Sequence, residues 1–347
     1  MGRIKKAILK LLCFLIPSKR IRHAVRRELN ISVREKFVMV SGTVGVISWS
    51  NYMLEHNMPE KVAALRHGLD AESNATIDRF FKYMTILPEN CYGKYKVLRK
   101  SLIDSRATPE EWAAMKTYEA NLEQYRRDYL LDKEDDRYVD VFLTHTGLAG
   151  TNRATRDYIA GKDFIDGGAY IGDSALVYIK NYNPKKVWSF EISPKNLERY
   201  PRVMKMNGIN KDKYELVPMG ISSEKGIARF DDYGGGAVSL KCAGDTETCL
   251  VDLDSFTREN NLKVGYIKTD IEGAGLDALM GMWETIGRDR PVLTLSIYHS
   301  PIEFFEMKPY LEEIVKDINY TIMIRKYHPY PDVFSEIAIF AYPRELE

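Results

Sequence analysis

Four polar side chains close successive apolar runs in the second half of the chain. Asp166 follows Phe164-Ile165, Glu191 follows Val187-Trp188-Ser189-Phe190, Asp270 follows Ile267-Lys268-Thr269, and His299 follows Leu295-Ser296-Ile297-Tyr298. Carboxylates accept hydrogen bonds and hold cations, and an imidazole exchanges protons near neutral pH. A single such residue at a strand end reads as a cap or a turn acid. Four on successive runs describe one shared site. Asp270 and Glu272 are two apart, so both can face the same side of an extended end.

Asp166 is the most informative, because glycines follow it. Phe164-Ile165-Asp166-Gly167-Gly168-Ala169-Tyr170-Ile171-Gly172 reads as a strand, a tight turn and a helix start, which places a ligand at the carboxyl end of a parallel strand. An acid ahead of the glycines repels a pyrophosphate and holds a cationic amino group. A dinucleotide fingerprint wants glycine at the first, third and sixth positions, and the third position from Gly167 is Ala169. Asp-x-Gly-x-x-x-Gly, at Asp166, Gly168 and Gly172, fits an S-adenosylmethionine (SAM) loop better. Glu191 can accept hydrogen bonds from both ribose hydroxyls, a feature that nicotinamide and SAM sites share. An NAD-dependent oxidoreductase on a similar sheet is therefore the alternative, with Asp166 and the glycine spacing against it.

From Gly161 onward strands and helices alternate, which implies an α/β fold: a doubly wound, mostly parallel sheet with helices on both faces. Strands are expected near 162–166, 186–191, 214–219, 264–270 and 292–298, with shorter ones at 226–231 and 248–253. A closing antiparallel pair is expected at 321–327 and 336–342. Pro194 to Met206 and Leu276 to Ile286 are the clearest helices between them. Residues 30–150 read as mainly helical, a possible cover for an acceptor pocket. Asp70 to Met84 is one helix, and Thr108-Pro109-Glu110-Glu111 starts another with a capping threonine and a proline in the first turn. The run Asp132-Lys133-Glu134-Asp135-Asp136-Arg137 reads as a solvated turn. Three regions follow: 1–29, 30–150 and 151–347.

The 347 residues are 45% hydrophobic, enough for a large core. The net charge of +1 hides an asymmetry, since nine Lys and Arg precede the first acid, Glu28. The remainder is acidic, which argues against a nucleic-acid partner. Residues 3–27 carry an apolar stripe (Ile4, Ile8, Leu11, Leu12, Leu15) opposite Lys6 and Lys10. The stretch is too short to span a bilayer and lacks a signal-peptide cleavage site. Its make-up fits a helix lying on an anionic membrane surface, so the expected location is cytoplasmic, with peripheral contact at the inner face of the plasma membrane. Cys13, Cys91, Cys242 and Cys249 form no CxxC pair and read as free thiols, with Cys242 and Cys249 close enough in sequence to meet in a hairpin.

The sequence resembles the FkbM family of SAM-dependent methyltransferases. The resemblance is carried by Phe164–Ser174, Phe190-Glu191-Ile192-Ser193-Pro194, Leu253-Asp254-Ser255-Phe256, Ile267-Lys268-Thr269-Asp270-Ile271-Glu272-Gly273-Ala274 and Ser296-Ile297-Tyr298-His299, within about residues 140–343. It implies a class I methyltransferase sheet, SAM as cofactor and O-methylation of a hydroxyl, with a sugar of a bacterial surface polysaccharide as the first acceptor to consider. The expected cofactor shell is Asp166, Gly167, Gly168, Tyr170, Gly172, Asp173, Ser174, Glu191, Ile192, Gly220, Ile221, Asp270 and Glu272. The family usually places an acid after Glu-Gly-Ala, where this chain has Gly275, so a polar contact is expected to be lost there. A sugar hydroxyl needs help losing its proton. His299 is the first candidate base, as a neutral imidazole, and Asp270 the second, with Glu272 orienting either and His145 covering the acceptor. Asp270 and Glu272 could also meet a metal ion, but no third ligand is evident and no metal is expected. Arg325, Lys326 and His328 could meet a phosphate or an acidic sugar. A non-catalytic module that tethers a glycan-assembly complex is a further alternative.

Overall fold

The computed structural model of the chain describes residues 46–90, 108–132, 139–230, 245–327 and 336–347. The basic segment 3–27, residues 133–137 of the charged run, Cys13, Cys91, Cys242 and His328 lie outside them.

The second half builds a seven-stranded sheet in the order β3-β2-β1-β7-β8-β10-β9. Its strands are β1 (Asp163–Gly167), β2 (Val187–Phe190), β3 (Tyr214–Val217), β7 (Val264–Thr269), β8 (Val292–Ser296), β9 (Tyr320–Lys326) and β10 (Ile337–Pro343). β1, β2, β3, β7 and β8 run parallel, while β10 is antiparallel to both β8 and β9. β1 and β7 are both buried along their length, as expected of central parallel strands covered on both faces.

Two expected elements differ from the structure. The strand expected at 214–219 breaks at Pro218, which has no N–H to give a ladder. Met219–Ile221 (β4) leaves to join a second sheet, β4-β6-β5, with Gly226–Phe230 (β5) and Thr246–Val251 (β6). The helix expected at 276–286 is two helices, Gly275–Met280 (α10) and Trp283–Asp289 (α11). Between them Gly281 presses on the Ser222 carbonyl, where any side chain would collide, and its own carbonyl accepts from Asp254 N–H.

Helices cover both faces. Val46–Glu55 (α1), Met58–Arg66 (α2), Ala71–Asn90 (α3), Leu253–Glu259 (α9), α10, α11 and Pro301–Val315 (α12) lie on one side; Trp49, Tyr52 and Phe80 stack on Phe304 and Phe305 there. Pro109–Asp128 (α4), Val139–Thr144 (α5), Arg153–Ile159 (α6), Asp173–Asn181 (α7) and Pro194–Met206 (α8) lie on the other, around Phe164, Tyr178 and Tyr266. The helices before residue 150 are thus divided between the faces and supply core side chains to each. Among the described residues no helix is long and apolar enough to cross a membrane.

Candidate active site

The glycine turn is shaped by how closely it passes β7. Gly168 has φ of +75°, and a side chain there would run into the Asp270 carbonyl. Only glycine satisfies both demands. Asp270 N–H donates to Gly167 O at 3.0 Å, and Gly168 and Ala169 N–H both donate to Phe190 O at 3.0 Å. The turn is thereby stitched to the ends of β7 and β2, which brings Asp166, Glu191 and Asp270 to one rim. Gly172 caps α7, whose first turn carries Asp173 and the buried Ser174. Ile221 reaches the same turn, since a side chain on Gly167 would meet its Cδ1. Gly220 is buried beside it on β4.

Asp166 is closed from solvent and lies in register with Lys268. Lys268 Nζ is 3.3 Å from its Oδ1 and donates to Gly168 O at 2.8 Å. Beyond that ion pair, neither Asp166 oxygen has a hydrogen-bond partner among the described residues. Burial raises the Asp166 carboxyl above the usual carboxylate range despite Lys268. Such unsatisfied buried acceptors under a glycine turn fit a site completed by a polar, cationic ligand such as SAM. Glu191 Oε1 accepts from Ile192 and Ser193 N–H, each at 2.8 Å. Burial raises its carboxyl too, with the backbone amides acting against the rise. Tyr170, at φ of +48°, takes a hydrogen bond on its hydroxyl from Arg199 at 3.3 Å. Arg199 in turn grips Asp132, its Nε 2.6 Å from Oδ2. Asp132, expected in a solvated turn, is therefore a tether between the end of the first helical region and the cofactor turn.

At the other end of the rim, His299 is buried among carboxylates. Its Nε2 lies 3.1 Å from Asp270 Oδ1 and 3.6 Å from Glu272 Oε1, and its Nδ1 lies 3.5 Å from Glu303 Oε2. Burial alone would lower its pKa; Asp270, Glu303 and Glu272 together raise it well above the usual imidazole value. His299 is therefore an imidazolium at neutral pH, which corrects the expectation of a neutral base there. The physical reason is that three acids, two from the loop after β7 and one from α12, face one ring. Asp270 also accepts from Tyr298 Oη at 3.1 Å, and that hydroxyl reaches Glu336 at 3.2 Å. His299, Lys268 and Tyr298 outweigh burial and hold the Asp270 carboxyl well below the usual range. Glu303, which the sequence did not single out, follows a Ser300-Pro301-x-Glu303 helix start that could have flagged it as a capping acid.

Not every expected residue joins this rim. His145 Nδ1 is 2.7 Å from Tyr182 Oη, at the C-cap of α7, opposite the end that Gly172 caps. Burial pushes its pKa down to about 4. Arg325 is taken by Asp70 and Glu72 of the α3 start, 2.6 Å and 3.3 Å from Nη2. Cys249 is an exposed free thiol on β6.

A search of the curated proteins finds no match to the chain. Among solved structures, a methyltransferase FkbM from Methylobacillus flagellatus aligns with a TM-score of 0.52 and 17% identity, over 85% of this chain and 61% of that one. This chain thus spans about three fifths of that protein, and at this identity the likeness is one of fold. An rRNA methylase from Streptococcus thermophilus (TM-score 0.36, 14% identity, 59% and 95% covered) and an Aeropyrum pernix fibrillarin with bound S-adenosyl-L-methionine (0.35, 12%, 58% and 73%) align more loosely. The family model of the methyltransferase FkbM domain matches residues 166–322. That match sets aside the oxidoreductase alternative. It runs from the acid of the glycine turn past the His299 cluster, so this stretch of the chain is similar to the methyltransferase FkbM domain.

Proposed function

We propose that the protein is a SAM-dependent O-methyltransferase acting on a sugar hydroxyl of a surface polysaccharide or its precursor. The observation that carries this reading is the contact between the glycine turn and the Asp270 backbone, which sets a carboxylate–imidazolium cluster directly beside the cofactor turn. SAM, when bound, supplies a methyl group already activated on a sulfonium. Asp166, Glu191 and the turn from Gly167 to Ser174 would hold it. Asp270 and Glu272 accept the hydrogen bond of the incoming hydroxyl and orient its lone pair. As the new bond forms, positive charge grows on that oxygen, and fixed carboxylates stabilise it without reorganising. A protonated ether is a strong acid, so even Asp270, a weak base, can take its proton. The His299 imidazolium keeps Asp270 ionised for that step. The cations described near the rim are engaged (Lys268 with Asp166 and Gly168, Arg325 with Asp70 and Glu72), which favours a neutral sugar over a phosphorylated one. The basic segment 3–27 would bring the enzyme to an anionic inner membrane face.

The test is transfer of labelled methyl from SAM to glycan fractions of cells lacking the gene, with the product identified by mass spectrometry. A methylated sugar formed by the wild type and not by Asp270→Asn supports the reading. SAM binding without transfer to any glycan would instead favour the tethering module. Co-sedimentation with phosphatidylglycerol vesicles, lost on deleting residues 1–29, tests the membrane contact.

A further inference from the structure

Glu303 stands in the first turn of α12, where an acid often belongs for reasons unrelated to catalysis. Ser300 caps the helix by accepting Glu303 N–H at 3.2 Å, and its hydroxyl donates to Glu303 Oε2 at 3.3 Å. A capping acid of this kind needs no burial, because water can solvate its free oxygen. Glu303 is only 1% exposed. A carboxylate taken that far from water must be met by partners. The two oxygens have different ones. Oε1 accepts Gly275 N–H at 2.8 Å, at the start of α10 and just past the Glu272-Gly273-Ala274 turn. Oε2 faces His299 Nδ1 at 3.5 Å.

Gly275 explains why the carboxylate fits. A side chain at that position would meet Glu303 Oε1 at 2.7 Å and Met307 Sδ at 3.0 Å. The space left by the missing side chain is filled by an acid from another helix. One carboxylate therefore ties together the turn that carries Glu272 and the ring that faces Asp270, although the two elements are far apart in sequence.

We propose that Glu303 is a positioning residue of the methyl-transfer site: its buried carboxylate anchors the Glu272–Gly275 turn through the Gly275 amide and sets an anion 3.5 Å from His299 Nδ1, so that the ring stays paired across to Asp270 and Glu272. The inference rests on the reading of Asp270 and Glu272 as the groups that meet the acceptor hydroxyl. The charged and titratable groups around the ring are Asp270 and Glu272 from the β7 end, Glu303 from α12, and Tyr298 and Lys268, which act on Asp270. Removing the charge of Glu303 leaves the ring one anion fewer.

Glu303→Gln keeps an oxygen for Gly275 N–H and loses the charge. Histidine NMR titration of the full chain should show His299 losing its proton at least one pH unit lower than in the wild type. The acid limb of kcat should move to higher pH, because Asp270 loses part of the positive charge that keeps it ionised, with KM for SAM unchanged. An unshifted His299 titration in a folded Glu303→Gln protein overturns the proposal. If that variant does not fold, Gly275→Ala serves, because the added methyl displaces the carboxylate tip by steric contact alone. It should shift the His299 titration in the same direction, and no shift there overturns the proposal equally. A shifted titration in a protein that methylates no acceptor upholds the effect of Glu303 on His299 and removes the catalytic reading alone.

Discussion

The two ends of the rim bury the same kind of group and treat it in opposite ways. At the β1–β2 end, Asp166 and Glu191 are buried with too little compensation, and their carboxyls rise. At the β7–β8 end, Asp270 is surrounded by His299, Lys268 and Tyr298, and its carboxyl falls. Burial is common to both, so the sign is decided by fixed partners. An acid left short of partners is suited to a ligand that brings its own charge. An acid saturated by its own protein is suited to stay ionised while bonds change beside it.

The comparison is broken most severely at Lys268, the cation that both ends share. Lys268→Met leaves Asp166 buried beneath the turn with no countercharge. Orphaning one member of a buried pair costs about 3–5 kcal/mol. Urea unfolding should show a loss of that order, and a loss under about 1 kcal/mol would mean that Asp166 is neutral in the native state.

At the acceptor end the expected loss is in rate. Asp270→Asn keeps the shape of the side chain and removes the charge that accepts the proton. Turnover should fall by about 10²-fold or more, within the range for removal of a general base. SAM affinity by calorimetry should stay within about threefold, the scatter expected when no direct charge contact is lost. A large loss of affinity with intact turnover at saturation would place Asp270 among the cofactor residues only.

Much of the architecture was legible because it follows local rules. The alternation of apolar runs and helix starts gave the parallel strands, and Ser193-Pro194 gave α8 at its observed bounds. The acid–glycine turn was legible because only a left-handed, side-chain-free residue can pass under Asp270. What was not legible depends on partners distant in sequence. The break at Gly281 comes from the Ser222 carbonyl. The charge on His299 comes from Asp270, Glu272 and Glu303, and no local pattern announces that three acids will converge on one ring. The space left at Gly275 is filled by the Glu303 carboxylate, from a helix that follows a whole strand later.

The opposite shifts at the two ends also predict opposite pH behaviour. A carboxyl raised by burial keeps its proton above the ordinary range, and a cationic ligand favours its ionised form. SAM binding should therefore release protons, and affinity should rise with pH above about 4 by up to about tenfold per unit for each acid, levelling off once Asp166 and Glu191 are ionised. In the free protein those two acids oppose stability as pH rises through the same window. Asp270 and His299 act the other way. The contribution of Asp270 is present above the ordinary carboxylate range and is lost on acidification. That of His299 is full below about pH 6.5 and is lost as pH rises through its raised value. A flat SAM affinity between pH 4 and 7 would show that neither raised acid meets the ligand, and Asp166→Asn should flatten only part of the rise.

The smallest expected effect lies where the cofactor end meets the first helical region. Arg199 is nearly buried, grips Asp132 through both ends of its guanidinium and leaves one amino group for the Tyr170 hydroxyl. Tyr170 itself sits at φ of +48°, a conformation that its own side chain disfavours and the surroundings must hold. Asp132→Asn weakens the grip without moving any group that touches the rim. Because the pair is partly open to solvent, the loss should be about 1 kcal/mol, read as a SAM dissociation constant raised about threefold to tenfold. Turnover at saturating SAM should not change, since Asp270 and His299 are supported from β7 and α12 instead. If Asp132→Asn lowered turnover as much as affinity, the two ends of the rim would be mechanically coupled, and the division between a ligand-completed end and a self-completed end would have to be given up.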